Sequence, residues 1–389
     1  MKRHLHYFVL FAFFSLAGST AYAQFPYFES FRTSSRNGIV LGGEPSAFLT
    51  AGGNSANGGT PIDKEGDGYL RLTNATQNQK GYAYSTSSFP SVRGLKVEFE
   101  YYIYGGNGAD GISFFLFDAK ASPFTIGGFG GSLGYAQYTN TSPTSVGVSG
   151  GYLGVGLDEY GNFSYNIEGR QGTGGGFFPG SITLRGQGNG AATTLTNYPL
   201  LTTVKTLDKG IPLAGNDSRR FPEITSDAYR KVFMEMEPNP SGGYFITVRL
   251  SQGGPNGLTT VTMIDRYAYT TIAPADLKYG FASSTGDNTK FHEVRNVAIS
   301  AYDMNGLVAP TANNDIVNGC PGSSTSFNVT ANDISNNAGG SIQKNAIDLD
   351  ASTAGLQKSI TVAGKGTFNA DDDGIITFSP LSSFTGQFQ

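Results

Sequence analysis

Apolar and polar residues alternate along several short stretches of this chain. In residues 95–104 (LKVEFEYYIY) every odd-numbered position is apolar, and Lys and Glu alternate with these positions in the first half. Residues 229–237 (YRKVFMEME) and 243–250 (GYFITVRL) alternate in the same way. A period of two indicates half-buried β-strands. Residues 111–118 (GISFFLFD) are apolar at nearly every position, which predicts a strand covered on both faces.

The arrangement of these strands predicts an all-β protein. Glycine accounts for 55 of the 389 residues, about twice its usual share of ~7 %, and glycine-rich loops separate the strands. Charged residues are 14 % of the chain, well below the ~25 % of an average domain. No stretch after residue 23 shows the apolar stripe of an amphipathic helix. These features together predict a β-sandwich or jelly roll.

The character of the sequence changes near residues 301–319 (AYDMNGLVAPTANNDIVNG). After this point aromatic residues become fewer, and short turns rich in Asn and Asp appear. We therefore predict one large domain over residues 24–305, a linker over 306–314 and a small immunoglobulin-like or cadherin-like β-sandwich module over 315–389.

Residues 1–23 have the features of a secretory signal. Lys2 and Arg3 precede a short apolar run, and Ala21-Tyr22-Ala23 is typical of a cleavage site before Gln24. The run is too short to serve as a stable membrane anchor. Without this segment the formal net charge changes from −4 to −6, because Lys2 and Arg3 are lost. An acidic chain with no basic run is expected to bind neither nucleic acid nor an anionic lipid surface. No later stretch is long and apolar enough to span a bilayer, so no membrane insertion is expected.

Histidine and cysteine are too scarce for several kinds of site. His292 is the single histidine after residue 23, and Cys320 is the single cysteine of the chain. An internal disulfide is therefore impossible, and zinc sites built from several Cys and His side chains are excluded. A Ser-His-Asp triad would have to use His292, and no G-x-S-x-G motif accompanies it.

Four stretches combine strands with glycine-rich or polar loops. They are residues 107–118 (NGADGISFFLFD), 127–135 (GGFGGSLGY, the glycine loop), 154–162 (GVGLDEYGN) and 279–296 (YGFASSTGDNTKFHEVRN). In this order they resemble the legume-type (L-type) lectin domain, which has a concanavalin-like jelly-roll fold. Each motif alone is weak, but the four in the family's order are fairly specific.

The resemblance implies a sugar site at one end of the sandwich. Asp110, held after a cis peptide bond, would accept hydrogen bonds from two adjacent sugar hydroxyls, because a carboxylate is a stronger acceptor than a neutral group. The backbone N–H of Gly131 would donate to the ligand, and the amide of Asn162 would contact both the sugar and a cation. The remaining edge of the site would be lined by Thr285 and Gly286.

The same resemblance implies a calcium ion beside the sugar. Its ligands would be Asp158, the Tyr160 carbonyl, the Asn162 side chain and Glu168. Calcium takes six to eight oxygen ligands, so Glu168 and water must complete the shell, or the site is weak or lost. The family's glutamate two residues before the calcium aspartate is Gly156 here. No transition metal is therefore expected.

Other interpretations of these residues remain open. Asp158 and Asn162 taken alone are typical of a turn, and Asp110 could be an ordinary hairpin residue. Glu235 and Glu237 are candidates for the carboxylate pair of a secreted polysaccharide-degrading glycoside hydrolase. Their alternation with apolar residues instead indicates a solvent-facing stripe. A passive structural spacer that keeps the sandwich without a site is the third alternative.

The C-terminal segment resembles the repeat modules of bacterial fibrillar adhesins. The resemblance lies in an A-x-N-D opening (312–315), a V-x-x-N-D turn (329–333) and a closing G-x-I-T-F-x-P-x-x-x-F-x-G (374–386). We expect further adhesin modules beyond residue 389. The two resemblances imply a non-catalytic adhesin that is secreted, associated with the bacterial cell surface, and bound to glycans or polysaccharides.

Overall fold

The computed structural model describes most of the chain after residue 25. The described residues are 26–36, 38–53, 59–139, 144–190, 197–215, 217–303, 311–320, 322–334, 342, 344, 347–350 and 357–385. The proposed signal at residues 1–23 and residues 306–310 of the proposed linker lie outside them. Within the described residues, no helix is long and apolar enough to cross a membrane.

Antiparallel strands form two eight-stranded sheets. The first sheet has the spatial order β14 (Thr259–Tyr269), β13 (Tyr244–Gln252), β12 (Arg230–Pro238), β7 (Leu95–Tyr104), β16 (Phe291–Ala301), β4 (Leu70–Thr73) and β3 (Phe48–Leu49), with β1 (Tyr27–Glu29) paired to β16. The second sheet has the order β11 (Leu200–Lys205), β10 (Ser181–Arg185), β9 (Gly151–Asp158), β8 (Gly111–Asp118), β15 (Asp276–Ser284), β5 (Lys80–Ser85) and β2 (Ile39–Glu44), with β6 (Phe89–Pro90) paired to β15.

The described part of the C-terminal segment forms a separate four-stranded antiparallel sheet. Its order is β17 (Thr325–Asn328), β20 (Ile375–Pro380), β19 (Gly366–Ala370) and β18 (Ser359–Val362). Helical structure among the described residues is limited to short 3₁₀ turns at Ser91–Arg93, Gly130–Ser132 and Thr206–Lys209. The protein is therefore all-β, as predicted.

The first two sheets pack face to face around one apolar core. The odd-numbered residues of β7 enter this core, as their alternation predicts. The ring of Phe99 on β7 contacts Phe281 and Phe114 of the second sheet, with centroids 5.0 and 6.1 Å away. Burying a side chain of this size contributes about 1.5–3 kcal/mol. The two packed sheets form a jelly-roll β-sandwich, which confirms the predicted fold class.

The outer face of β7 departs from the solvent-facing pattern. Glu100 is buried and forms a 2.6 Å ion pair with Arg295. Tyr104 is buried as well. Arg220 donates to its hydroxyl and also forms a 2.7 Å ion pair with Glu293. A loop therefore covers charged residues that their spacing alone placed in water.

The second sheet is covered on both faces, as the sequence of β8 predicts. Ile112, Phe114 and Leu116 face the main core. Phe115 and Phe117 face a second apolar cluster on the other side. The other buried members of that cluster are Leu133, Tyr135, Ala136, Val148, Phe163, Tyr198 and Ala282. The glycine loop and the residues after β9 are therefore packed directly against this sheet.

Candidate functional site

The ends of five neighbouring strands meet in one row at an edge of the second sheet. Gly111, which begins β8, pairs with Asp158 at the end of β9 and with Ser284 at the end of β15. Ser181 of β10 pairs with Asp158, and Lys80 of β5 pairs with Ser284. The register therefore brings together loops that are far apart in the sequence, including three of the four motif stretches.

Asp110 lies immediately before β8 and is held by both neighbouring strands. Its N–H donates to the Ser284 carbonyl, and its carbonyl accepts the N–H groups of Glu159 and Tyr160, all at 3.0 Å. The Ala109–Asp110 peptide bond is cis, as expected. Ser284 Oγ donates to Oδ2 of Asp110 at 3.0 Å, and nothing in the described residues donates to Oδ1. Burial raises the pKa of Asp110 to about 7, and the hydrogen bond from Ser284 opposes this shift.

The glycine loop packs against the same row. Ser284 Oγ also contacts the Gly130 carbonyl at 3.2 Å, so one hydroxyl joins this loop to the carboxylate before β8. Gly131 has no room for a side chain, because a Cβ there would lie 2.3 Å from the Cβ of Asn162 and 2.9 Å from Nη2 of Arg170. Two residues proposed from the sequence to bind sugar, Gly131 and Asn162, are thus in direct contact.

Asp158 ends β9 and holds the turn that follows. Its Oδ1 accepts the N–H of Gly161 at 2.7 Å, and its Oδ2 accepts the N–H of Phe163 at 2.6 Å. Gly161 has a φ of +109° and a Cβ there would lie 2.4 Å from the nitrogen of Pro179, so the turn requires glycine. Burial raises the pKa of Asp158 to about 7, against the two amide hydrogen bonds. Asp158 therefore closes this turn with its side chain.

The residues proposed as calcium ligands do not fit that ion. Both oxygens of Asp158 accept amide hydrogens, and Oε2 of Glu168 forms a 2.8 Å ion pair with Nη2 of Arg170. Without Glu168, the other three residues supply four oxygens at most, short of the six to eight ligands that calcium takes. The described residues contain no group of three or more His, Cys, Asp or Glu side chains able to hold a metal. A guanidinium lies among the proposed ligands instead.

Gly156 is a glycine because an aromatic ring crosses it. A Cβ at this position would lie 2.2 Å from Cδ1 of Phe163. Phe163 is fully buried in the second apolar cluster and cannot move away without opening that cluster. The glutamate that the lectin resemblance implies at Gly156 therefore has no space in this fold.

Thr285 and Gly286 follow β15 directly, but they differ in what they offer. The Thr285 hydroxyl donates to the Thr76 carbonyl at 2.6 Å and accepts the N–H of Gln79 at 3.0 Å. A Cβ at Gly286 would have nothing within 4 Å. Thr285 thus ties a neighbouring loop to the rim, while Gly286 forms an open part of it.

Partly exposed aromatic rings flank the row. Phe129 in the glycine loop is 36 % exposed, and Nζ of Lys80 lies 3.8 Å from its ring centroid. Beside the Asp110 carbonyl, Tyr160 and Phe177 form an edge-to-face contact with centroids 5.4 Å apart, and Phe177 is 51 % exposed. Such rings offer flat apolar faces next to polar groups.

The carboxylates proposed for a hydrolase lie on the other sheet. Glu235 and Glu237 project from the outer face of β12, and each is paired with an arginine. Glu235 lies 3.0 Å from Arg249 of β13, and Glu237 pairs with Arg266 of β14. This cross-strand pairing supports the solvent-facing stripe rather than a catalytic pair.

Sequence reasoning missed Arg170, Ser284 and Phe129. Arg170 lies in residues 168–172 (EGRQG), where the lectin family has a metal-binding run. An arginine in place of that run is the signal in the sequence that could have indicated its role. Ser284 directly precedes Thr285 within a motif already recognised, and Phe129 is the one aromatic residue among the first glycines of the glycine loop.

Comparisons with known proteins separate the two parts of the chain. Residues 307–389 match a protein-family model described as the repetitive domain of the surface adhesin CshA. A comparison with curated proteins finds no match.

Solved structures with a similar fold include lectins. The lectin of Bauhinia forficata in complex with GalNAc is 16 % identical, covering 71 % of this chain and 97 % of that chain with a TM-score of 0.43. Lectin I-B4 of Griffonia simplicifolia in metal-free form is 17 % identical, covering 71 % and 99 % with a TM-score of 0.41. The exoplasmic/lumenal domain of VIP36 in Ca²⁺/Man3GlcNAc-bound form is 12 % identical, covering 68 % and 86 % with a TM-score of 0.38. These values describe the β-sandwich and assign no ligand to this chain.

Proposed function

We propose that this protein is a non-catalytic, carbohydrate-binding surface adhesin. The observation that carries the proposal is the convergence of polar loops at the row of strand ends. Ser284 Oγ contacts both the Asp110 carboxylate and the Gly130 carbonyl, and Oδ1 of Asp110 is left for an external donor. A carboxylate fixed between loops in this way suits two adjacent hydroxyls of a sugar ring.

The neighbouring residues supply the other contacts that a sugar requires. The N–H of Gly131 and the amide of Asn162 are the proposed donors, and the ring of Phe129 is the proposed apolar face. Thr285 and Gly286 form the rim. The adhesin-type match of residues 307–389 supports an extracellular or cell-surface location for this binding domain.

The proposal is tested by screening the purified chain against a panel of glycans and polysaccharides. We expect binding by the wild type and a loss of about tenfold or more in Asp110→Asn, which removes a charged acceptor. Asp118→Asn is the matched control. Asp118 ends the same strand, β8, and its Oδ1 accepts the N–H of Lys120 away from the row.

Two results would contradict the proposal. One is the absence of binding to any glycan, which would favour a passive spacer. The other is equal binding by the wild type and Asp110→Asn. Release of reducing ends from a polysaccharide, lost in Glu235→Gln, would favour the hydrolase alternative.

A further inference from the structure

Arg170 is enclosed among the groups that the lectin resemblance assigns to calcium. Its side chain is 1 % exposed, and its Nη2 lies 2.8 Å from Oε2 of Glu168. Nη1 donates to Oγ of Ser132 in the glycine loop at 3.0 Å. The positive charge of Arg170 also lowers the pKa of Asp110 and of Asp158, against the larger effect of burial. One guanidinium therefore acts on three carboxylates.

A second buried arginine donates hydrogen bonds to carbonyl groups of the same loop. Arg185 of β10 is fully buried and donates to the carbonyls of Phe163 at 2.7 Å and Gln171 at 2.8 Å. Arg170 and Arg185 both donate to the Tyr165 carbonyl, each at 3.2 Å. The residues after β9 are thus held from inside by two guanidinium groups.

We infer that Arg170, supported by Arg185, replaces the calcium ion of this site with a cation supplied by the chain itself. A guanidinium has five N–H donors and holds its charge when buried, so it can neutralise Glu168 and anchor carbonyls as a metal does. Both oxygens of Asp158 accept amide hydrogens of the turn, so this carboxylate is held without a metal. The site is therefore built to work without metal.

The inference concerns the same site as the proposed function. It rests on that function for one consequence, which is the effect of calcium on glycan binding. Arg170 donates to Ser132 of the glycine loop and lies beside Gly131, so glycan binding is expected to be independent of calcium. The experiment needs no glycan. Its failure can therefore be distinguished from a failure of the proposed function.

The first measurement compares the purified chain in EDTA and in millimolar CaCl₂. The readouts are thermal unfolding and hydrogen exchange of peptides that contain the Gly161 and Phe163 amides. We expect the same unfolding temperature and the same exchange in both conditions. A calcium-dependent rise in unfolding temperature, together with slower exchange at these amides, would overturn the inference.

The second measurement changes Arg170. Arg170→Lys keeps the charge but loses the forked donor geometry, so exchange at Gly161 and Phe163 should become about tenfold faster or more, with β12 and β13 unchanged. Arg249→Lys, in a partly exposed ion pair between β13 and β12, is the control and should leave all peptides unchanged. Exchange at the wild-type rate in Arg170→Lys would overturn the inference.

A milder variant covers the case in which Arg170→Lys does not fold. Glu168→Gln removes the ion-pair partner of Arg170 with almost no change in volume. We expect faster exchange at the same two amides and still no response to calcium. Wild-type exchange in Glu168→Gln, or a gain of stability with calcium, would count against the inference.

Discussion

A single methyl group at Gly131 tests how the candidate site is packed. In Gly131→Ala the new Cβ would lie 2.3 Å from the Cβ of Asn162, whereas carbon atoms in contact are normally about 3.5–4.0 Å apart. Because the Cβ of Asn162 is fixed to its own backbone, no rotamer change relieves the overlap. Overpacking costs about 1–3 kcal/mol. Since the backbone must move here, we expect about 3 kcal/mol, or an unfolding temperature about 6 to 12 °C lower.

Gly130→Ala is the matched control for this prediction. Gly130 has a φ of +53° and nothing within 4 Å of a built Cβ, so alanine there costs about 1 kcal/mol of backbone strain and displaces no neighbour. Both variants are compared by thermal unfolding and by glycan binding. Gly131→Ala should lose stability and binding, while Gly130→Ala should lose no more than about 1 kcal/mol of stability. Wild-type stability and binding in Gly131→Ala would refute the packing argument.

Three further variants test other parts of the account. Gly156→Glu should not yield stable protein and should not bind a metal, since Phe163 fills the space. A soluble, metal-binding variant would contradict this. Burial lowers the pKa of His292 from 6.5 to about 3, so the unfolded state gains a proton first as the pH falls, and His292 should contribute a loss of about 2 kcal/mol between pH 7.5 and pH 5. The raised pKa values of Asp110 and Asp158 act in the opposite direction over this range, so the readout in urea unfolding is the stability of the wild type relative to His292→Gln, which should fall by this amount. Phe129→Ala should weaken glycan binding several-fold with little change in unfolding temperature, whereas unchanged affinity would remove the ring from the site.

The fold could be predicted because it depends on local patterns that repeat. A period of two along β7 identifies the core-facing residues, and the apolar run of β8 identifies a strand covered on both faces. The burial of Glu100 could not be predicted in this way. It depends on Arg295 of another strand and on a covering loop, and sequence spacing reports neither.

The sequence predicts that the residues of the candidate site meet, but it does not predict the contacts between them. The residues before β8 and after β9 and β15 meet as the motif order implies, because strand register brings them to one edge. An aspartate that closes a turn and one that binds calcium can have the same sequence, and the structure alone shows the Gly161 and Phe163 amides at Asp158. The role of Arg170 could not be predicted because it depends on Ser132 of the glycine loop, which is far away in the sequence.

The most direct test of the central claim is a crystal structure of the chain with the oligosaccharide that binds it best. The account predicts two adjacent sugar hydroxyls within hydrogen-bond distance of the Asp110 carboxylate, the N–H of Gly131 directed at the ligand, and the Arg170 guanidinium still paired with Glu168. A sugar bound away from the row of strand ends, with Asp110 contacting Ser284 alone, would contradict it.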